Sequence, residues 1–305
     1  MTSDPSGPAT RERSRVALVT SDHFPDLYAD DHPLRAALRA RGVAVDAVCW
    51  DDPAADWAAY DLAVLRSTWD YPPRRDAFVA WAGSVPRLAN PADIVAWNTD
   101  KHYLRDLAEA GVPVTPTRFV EPGEAWTAPA AGEWVVKPAI SIGSRDSGRY
   151  RLPEQSELAQ AHVARLGAAG RTAMVQPYLA AVDTVGETAV LCTPDKTGAL
   201  RYSHAVRKDA LLHGPDAGSD PSAYRQEISS REAGEAELAV AALALAAIPG
   251  GADRLLYARV DLIPGPDGRP LLVELELTEP SLFLLYDDGA ADRLADAILD
   301  RLPRS

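Results

Sequence analysis

The sequence predicts an α/β protein that opens with a parallel α/β unit and carries an antiparallel hairpin near its C-terminus. Three observations lead there. Short apolar runs at 16–20, 43–50 and 61–65 alternate with helical periodicity, as strands joined by crossover helices do. Two further runs, 257–263 and 271–277, flank Pro264-Gly265-Pro266-Asp267-Gly268-Arg269-Pro270, a stretch of turn formers that reads as a hairpin loop. Finally, 305 residues can bury a substantial core and divide into two or three domain-sized units.

The first strand ends in a polar tip, Ser21-Asp22-His23. Leu34, Ala37 and Leu38 then recur at helical spacing and Gly42 supplies the stop. The third strand runs directly into Arg66-Ser67-Thr68-Trp69-Asp70-Tyr71-Pro72. Ligands of parallel sheets bind beyond the carboxyl ends of the strands, so Ser21, Asp22, Arg66, Trp69, Asp70 and Tyr71 are substrate-site candidates. Packing of Trp69 and Tyr71 over the sheet edge is the competing reading. Asn90-Pro91 closes this unit, assigned to 15–92. The tail in front of it, 1–14, lacks the apolar core of a signal peptide and is read as disordered.

In the next region, 93–175, Asn98 or Thr99 can cap a helix whose apolar face is Leu104, Leu107 and Ala108, with Gly111 and Pro113 at its end. Lys101 falls in the first turn, where a cation opposes the helix dipole; a bound anion would explain that placement, and a solvent-pointing lysine is the plainer alternative. Residues 133–138 read as a strand ending in a second lysine, Lys137. It leads into 139–148, which includes Ser141 and Gly143. Glycines let backbone N–H groups turn toward a ligand and serines add donors, which suits a flap over phosphates. The lysine precedes this loop, so the pattern is not a Walker loop.

The last region, 176–305, opens on a strand broken by proline. The linker Gln176-Pro177-Tyr178-Leu179 can offer backbone groups to an adenine edge, and Glu187 a carboxylate to ribose hydroxyls. Another strand spans 188–193, and 202–208 brings Arg207 and Lys208 back toward the presumed phosphates. His204 has no second histidine or cysteine at ligand spacing and is read as structural or hydrogen-bonding. A flexible loop at 215–224 and a helix at 231–248 precede the hairpin. Alternation sets Arg259 and Asp261 on one face of the first hairpin strand and Glu274 and Glu276 on one face of its partner. Val260, Leu262, Val273, Leu275 and Leu277 then point toward a core. Carboxylates opposite one another repel, so a cation is expected between them, and Mg²⁺ takes carboxylates together with substrate phosphates. A solvated strand face is the bland alternative.

Composition narrows the partners. The net charge is −13, from 31 Lys and Arg against 44 Asp and Glu, which argues against nucleic acid or an anionic membrane as partner. No apolar run reaches spanning length. Cys49 and Cys192 form no close-spaced metal motif, and a reducing cytoplasm is the expected compartment.

Taken in order, Asn98-Thr99-Asp100-Lys101, Val136-Lys137-Pro138 with its Gly/Ser loop, Gln176-Pro177-Tyr178-Leu179, Gly186-Glu187, Ala258-Arg259-Val260-Asp261 and Glu274-Leu275-Glu276 resemble the motifs of the ATP-grasp ligases. The resemblance covers about residues 90–303 and implies an ATP-grasp fold behind an N-terminal α/β pre-domain, with 93–175 as its small lid region and 176–305 as its catalytic part. It implies that Lys101 and Lys137 hold ATP phosphates, that the linker takes adenine and that Glu187 takes the ribose. Asp261, Glu274 and Glu276 would ligate two Mg²⁺ ions, and Arg259 would steady the transferring phosphoryl group with Arg207 and Lys208. The family usually places Asn where this chain has Glu276. A narrower likeness, carried by the Arg66–Tyr71 run, Ser203-His204-Ala205-Val206-Arg207-Lys208 and Glu-Leu-Glu-Leu-Thr-Glu-Pro-Ser, is to the branch containing the cycloserine-pathway cyclo-ligase, which closes O-ureido-serine into cycloserine with ATP. It implies a small carboxylate substrate, an amino acid, activated as an acyl phosphate for attack by nitrogen. Arg66, Trp69, Asp70, Tyr71 and Ser281 would then shape the substrate pocket, and a homodimer is expected. A small-molecule kinase of the same fold, or a nucleotide-binding regulator without catalysis, are the rival readings.

Overall fold

A computed structural model describes residues 13–216 and 226–303; residues 1–12 of the predicted tail and most of the predicted 215–224 loop lie outside them. The first sheet is parallel, in the order β2-β1-β3-β4, formed by β1 (Arg15–Thr20), β2 (Ala44–Cys49), β3 (Leu62–Leu65) and β4 (Leu88–Ala89). Helix α1 (His32–Ala40) follows β1 and buries Leu34 and Leu38, one helical turn apart, against the sheet. Gly42, at φ +83°, makes the reversal into β2. Helix α2 (Arg75–Ser84) covers the other face through Phe78 and Ala82.

Two short helices, α3 (Ala92–Asn98) and α4 (Tyr103–Glu109), lead to an antiparallel sheet of β5 (Arg118–Val120), β6 (Gly132–Pro138), β7 (Gly148–Leu152) and β8 (Ala173–Pro177), in the order β5-β8-β6-β7. Helix α5 (Ser156–Ala168) packs on it through Ala159, Val163 and Leu166. A five-stranded antiparallel sheet follows. Its strands are β9 (Glu187–Pro194), β10 (Leu200–Lys208), β11 (Ile228–Arg231), β12 (Ala258–Pro264) and β13 (Pro270–Glu276), ordered β11-β10-β9-β12-β13. One of its faces buries Val190, Val260, Leu262 and Leu275 against α4 and α6 (Glu235–Ala246). The opposite face is apolar at one end, where Ala189, Leu191 and Val206 meet α7 (Ala290–Leu299) and the first sheet in a shared core.

Several local expectations change. Asn98 does not cap a helix but ends α3. Its amide reaches β13, donating to Leu275 O at 2.7 Å and accepting from Leu277 N at 2.7 Å. Thr99 instead accepts from Arg75 Nε at 2.9 Å. Lys101 precedes α4 and its N-cap His102 rather than sitting in the first turn, and its Nζ donates to Ser141 O at 2.8 Å. Arg231 belongs to β11, and α6 begins at Glu235, where Glu237 turns back to accept from Gly234 N at 2.7 Å. Val273 does not join the core of Leu275 and Leu277. A register shift pairs Asp261 with Glu274 and Leu262 with Leu272, leaving Val273 as the extra residue of a bulge that turns it toward Leu179 and Ile263.

Asn90 joins the first sheet to the large one. Its amide donates to Tyr257 O at 3.0 Å and Leu277 O at 2.7 Å, and its carbonyl accepts from Leu256 N at 2.6 Å, all buried. Replacing it with alanine strands these backbone groups, and Asn90→Ala is expected to cost about 2–4 kcal/mol. A thermal or urea unfolding midpoint unchanged from wild type would show that the amide is dispensable.

Candidate active site

The three sheets surround a cavity of about 390 Å³. At one end, Leu179, Val182, Ile263, Tyr178 and Val273 form an apolar slot, the last of these delivered by the bulge. The Tyr178 ring is held from behind by the Arg149 guanidinium, 3.5 Å from its centroid, while its hydroxyl donates to Asp183 at 2.5 Å. A slot of this shape suits a flat heterocycle.

Beyond the slot the walls become charged. Lys137 enters from the end of β6 and its Nζ lies 3.0 Å from Glu274 Oε1. Lys101 Nζ donates to Ser141 O at 2.8 Å and stands 3.9 Å from the same carboxylate, tying α4 to the Ser141–Gly143 loop. The hairpin register pairs Arg259 with Glu276 and Asp261 with Glu274. Arg259 Nη2 bonds Asp261 Oδ2 at 2.8 Å and also pairs with Glu276. From β10, Lys208 reaches across β9 to Asp261 at 2.8 Å and pairs with Glu187 on the way.

Burial raises the pKa of every carboxyl here, and the neighbours decide the outcome. Lys101 and Lys137 reverse the effect for Glu274 and hold it at about 2. Arg259 and Lys208 hold Asp261 well below the usual range. For Glu276 burial wins, Arg259 notwithstanding, and it is pushed to about 7, as is Glu187 despite Lys208. One oxygen each of Asp261, Glu274 and Glu276 lie within 4.8 Å of one another. An all-oxygen set with residual negative charge fits a hard divalent cation.

The predicted residues divide cleanly. Lys101, Lys137, Ser141, Gly143, Gln176, Pro177, Tyr178, Leu179, Glu187, Lys208, Arg259, Glu274 and Glu276 line the cavity, as do Trp69, Tyr71 and Ser281, and Asp261 is buried directly behind. The structure does not bring Arg66, Asp70 or Arg207 to it. Arg66 is 1 % exposed, bonded to Asp31 at 2.7 Å and to Pro280 O at 2.8 Å. Asp70 accepts from Trp50 Nε1 at 2.9 Å and pairs with Arg74. Arg207 alternates with Lys208 along β10, so it points away from the cavity to Asp209 and Val185 O. Ser21 is likewise occupied, donating to Ser67 O at 2.9 Å, and Asp22 lies outside the lining. His204 is structural, bonded to Leu282 O at 2.9 Å. Sequence reasoning missed Tyr103, whose hydroxyl accepts from Leu275 N at 3.0 Å, and Glu279, which lies past the end of β13 where alternation no longer reports direction.

The chain as a whole has known relatives. Over 303 residues the chain is 39% identical to the cycloserine biosynthesis protein DcsG of Streptomyces lavendulae, spanning 94% of this chain and 98% of that protein. The chain belongs to the DcsG family. Residues 16–90 match the family described as D-cycloserine synthetase DcsG, N-terminal domain. The crystal structure of D-cycloserine synthetase DcsG superimposes with a TM-score of 0.81 at 36% identity, covering 95% of this chain and all (100%) of that one. The D-alanine–D-alanine ligase of Bacillus anthracis complexed with ATP shares the fold at a TM-score of 0.66 and 15% identity, over 95% and 96% of the two chains. The fold is therefore ATP-grasp, and the protein is an ATP-dependent ligase of that class. Among the described residues no helix is long and apolar enough to cross a membrane.

Lys208 is the cation shared by two buried carboxyls. Lys208→Met removes the ion-pair partner of Glu187 and leaves Asp261 with Arg259 alone, and a destabilisation of about 3–5 kcal/mol is expected. Calorimetric melting checks this; a variant as stable as wild type would mean that Arg259 alone compensates Asp261.

Proposed function

We propose that this ligase activates the carboxylate of a small amino acid with ATP as an acyl phosphate, which a nitrogen of the same molecule attacks to close a ring. O-ureido-serine is the proposed substrate, from the family membership. The observation that carries the phosphoryl-transfer half is the run of Lys101, Lys137, Glu274, Asp261, Lys208 and Arg259 along one cavity wall, beside an apolar slot of heterocycle shape.

In this reading Tyr178, Leu179, Ile263 and Val273 sandwich the adenine. Lys101 and Lys137, which now neutralise Glu274, turn to the phosphates when nucleotide enters. Asp261, Glu274 and Glu276 would hold one or two Mg²⁺ ions, whose role is to neutralise phosphate oxygens and polarise the transferring group. Arg259 is fixed by Asp261 and Glu276 and offers a preorganised guanidinium to the charge that develops during transfer. The Ser141–Gly143 loop, tethered through Lys101, would cover the phosphates and keep water from the acyl phosphate. A homodimer is proposed on the resemblance alone.

Mg²⁺-dependent phosphate release from ATP, measured across a panel of amino acids including O-ureido-serine, tests the reading. Release with O-ureido-serine alone and a cyclic product support it. A stable phosphorylated product without free phosphate would make the protein a kinase, and release only with a separate amine would make it an intermolecular ligase. Glu274→Gln is expected to abolish turnover while the circular dichroism spectrum stays that of wild type. Full activity in that variant would remove Glu274 from the metal site.

A further inference from the structure

Strand β13 ends at Glu276, and the chain then passes along the cavity toward α7. Three successive carbonyls of this passage are pinned from different parts of the molecule. Glu279 O accepts from Trp69 Nε1 at 2.9 Å, Pro280 O from Arg66 Nη2 at 2.8 Å, and Ser281 O from Arg259 Nη1 at 3.2 Å. The backbone is thus fixed where the Glu279 side chain turns into the cavity beside Tyr71.

That side chain is the exception among the site's carboxyls. Glu274 has Lys137, Asp261 has Lys208 and Arg259, Glu276 has Arg259, and Glu187 has Lys208. Glu279 is 9 % exposed, has no ion pair among the described residues, and its buried Oε2 has no hydrogen-bond partner. Burial, with Glu276 adding to it, pushes its pKa up to about 8. A carboxyl this deep is costly unless it meets a cation or a donor, and the described residues supply no cation in contact with it. The terminal torsion of a glutamate is broad, so either oxygen can be presented to the cavity.

We propose that Glu279 is the specificity-determining contact for the protonated amino group of the substrate, with Tyr71 steadying the carboxyl and Trp69 fixing its backbone. The assignment orients a zwitterion. The ammonium lies against Glu279, and the carboxylate faces the opposite charge of Arg259 and Lys101, where phosphoryl transfer is proposed. It also accounts for Arg66, which acts at a distance by holding Pro280 in place. This inference rests on the amino-acid reading of the preceding subsection.

The test is a two-by-two comparison. O-ureido-serine and its analogue with hydrogen in place of the α-amino group are titrated calorimetrically into the MgADP complexes of wild type and Glu279→Gln. Wild type is expected to bind the analogue at least about tenfold more weakly, the range of a charged hydrogen bond. The variant is expected to bind O-ureido-serine about tenfold more weakly than wild type does and to distinguish little between the two compounds, since the two changes remove one contact. Its affinity for MgADP stays within about twofold, which also certifies the fold, and Glu279→Asp recovers part of the discrimination. Equal discrimination by wild type and variant overturns the assignment while leaving the substrate reading in place. Weakened MgADP binding, or a shifted Mg²⁺ requirement in turnover, would instead make Glu279 part of the metal site and overturn it too. Binding of neither compound by wild type, with no phosphate release from any amino acid in the panel, removes the substrate reading and this inference with it.

Discussion

Opposite charges buried against one another on one end of a sheet face govern the rest of this structure. Glu187, Lys208, Asp261, Arg259 and Glu276 run across β9, β10, β12 and β13, each within reach of the next. Isolated, each charge would cost several kcal/mol or more to bury; linked, they fix one another's position. The linkage demands a strand order in which β9 separates β10 from β12, so that Lys208 can cross to Asp261. The residue of β9 paired with Asp261 is Ala189, small enough to leave that crossing open. Further along the same face Leu191 and Val206 carry apolar side chains, and there α7 and the first sheet close the core. A single strand face is therefore both wall of the cavity and foundation of the domain packing.

The second constraint is that the reacting groups sit on separate units whose distances must not drift. The structure meets it with side-chain amides and guanidinium groups that bond backbone across those units. Asn90 holds the end of the first sheet to β12 and β13, Asn98 binds α3 to β13, and Arg66 spans from β3 to Pro280. Asn90 and Arg66 lie outside the cavity lining and Asn98 borders it, and each fixes backbone next to residues that line it. Sub-ångström placement matters for a reaction that is mostly positioning and electrostatics.

What could be read from sequence follows from where periodicity exists. Along β12 and β13 the alternation of Arg259, Asp261, Glu274 and Glu276 with apolar neighbours reports direction directly, and the paired register bears it out. It fails at Val273, because a bulge shifts the pleat by one residue and leaves no mark in composition. Past a strand end there is no period to follow, so the sequence does not separate Trp69 and Tyr71 from Arg66 and Asp70. Only the fold separates them, by giving Arg66 the buried partner Asp31 and Asp70 the indole of Trp50. Arg207 and Lys208 are adjacent cations on a strand, and alternation permits only one of them to face the cavity. Asn98 read as a helix cap since capping is the commonest local use of asparagine. Its actual partners lie more than 170 residues away, at the end of β13 and just beyond it.

The glutamate at position 276 changes the charge balance of the site. With Glu187, Asp261, Glu274 and Glu279 it faces Lys101, Lys137, Lys208 and Arg259, so the carboxyls outnumber the cations by one among these residues. An asparagine there would leave the two signs equal. The excess appears in the titration: Asp261 and Glu274, each beside two cations, stay ionised, whereas Glu276, Glu187 and Glu279 are pushed to about 7, 7 and 8. Burial and mutual repulsion thus favour the protonated forms of Glu276, Glu187 and Glu279. In the proposed reading a divalent cation at Asp261, Glu274 and Glu276 and an ammonium at Glu279 would favour the ionised forms instead. Nucleotide, if it draws Lys101 and Lys137 away from Glu274 as proposed, would increase the need for such a cation. In the proposed reading the extra carboxylate couples metal and nucleotide electrostatically: a bound cation favours the ionised carboxyls, and it offsets the negative charge that the nucleotide phosphates bring to the same wall.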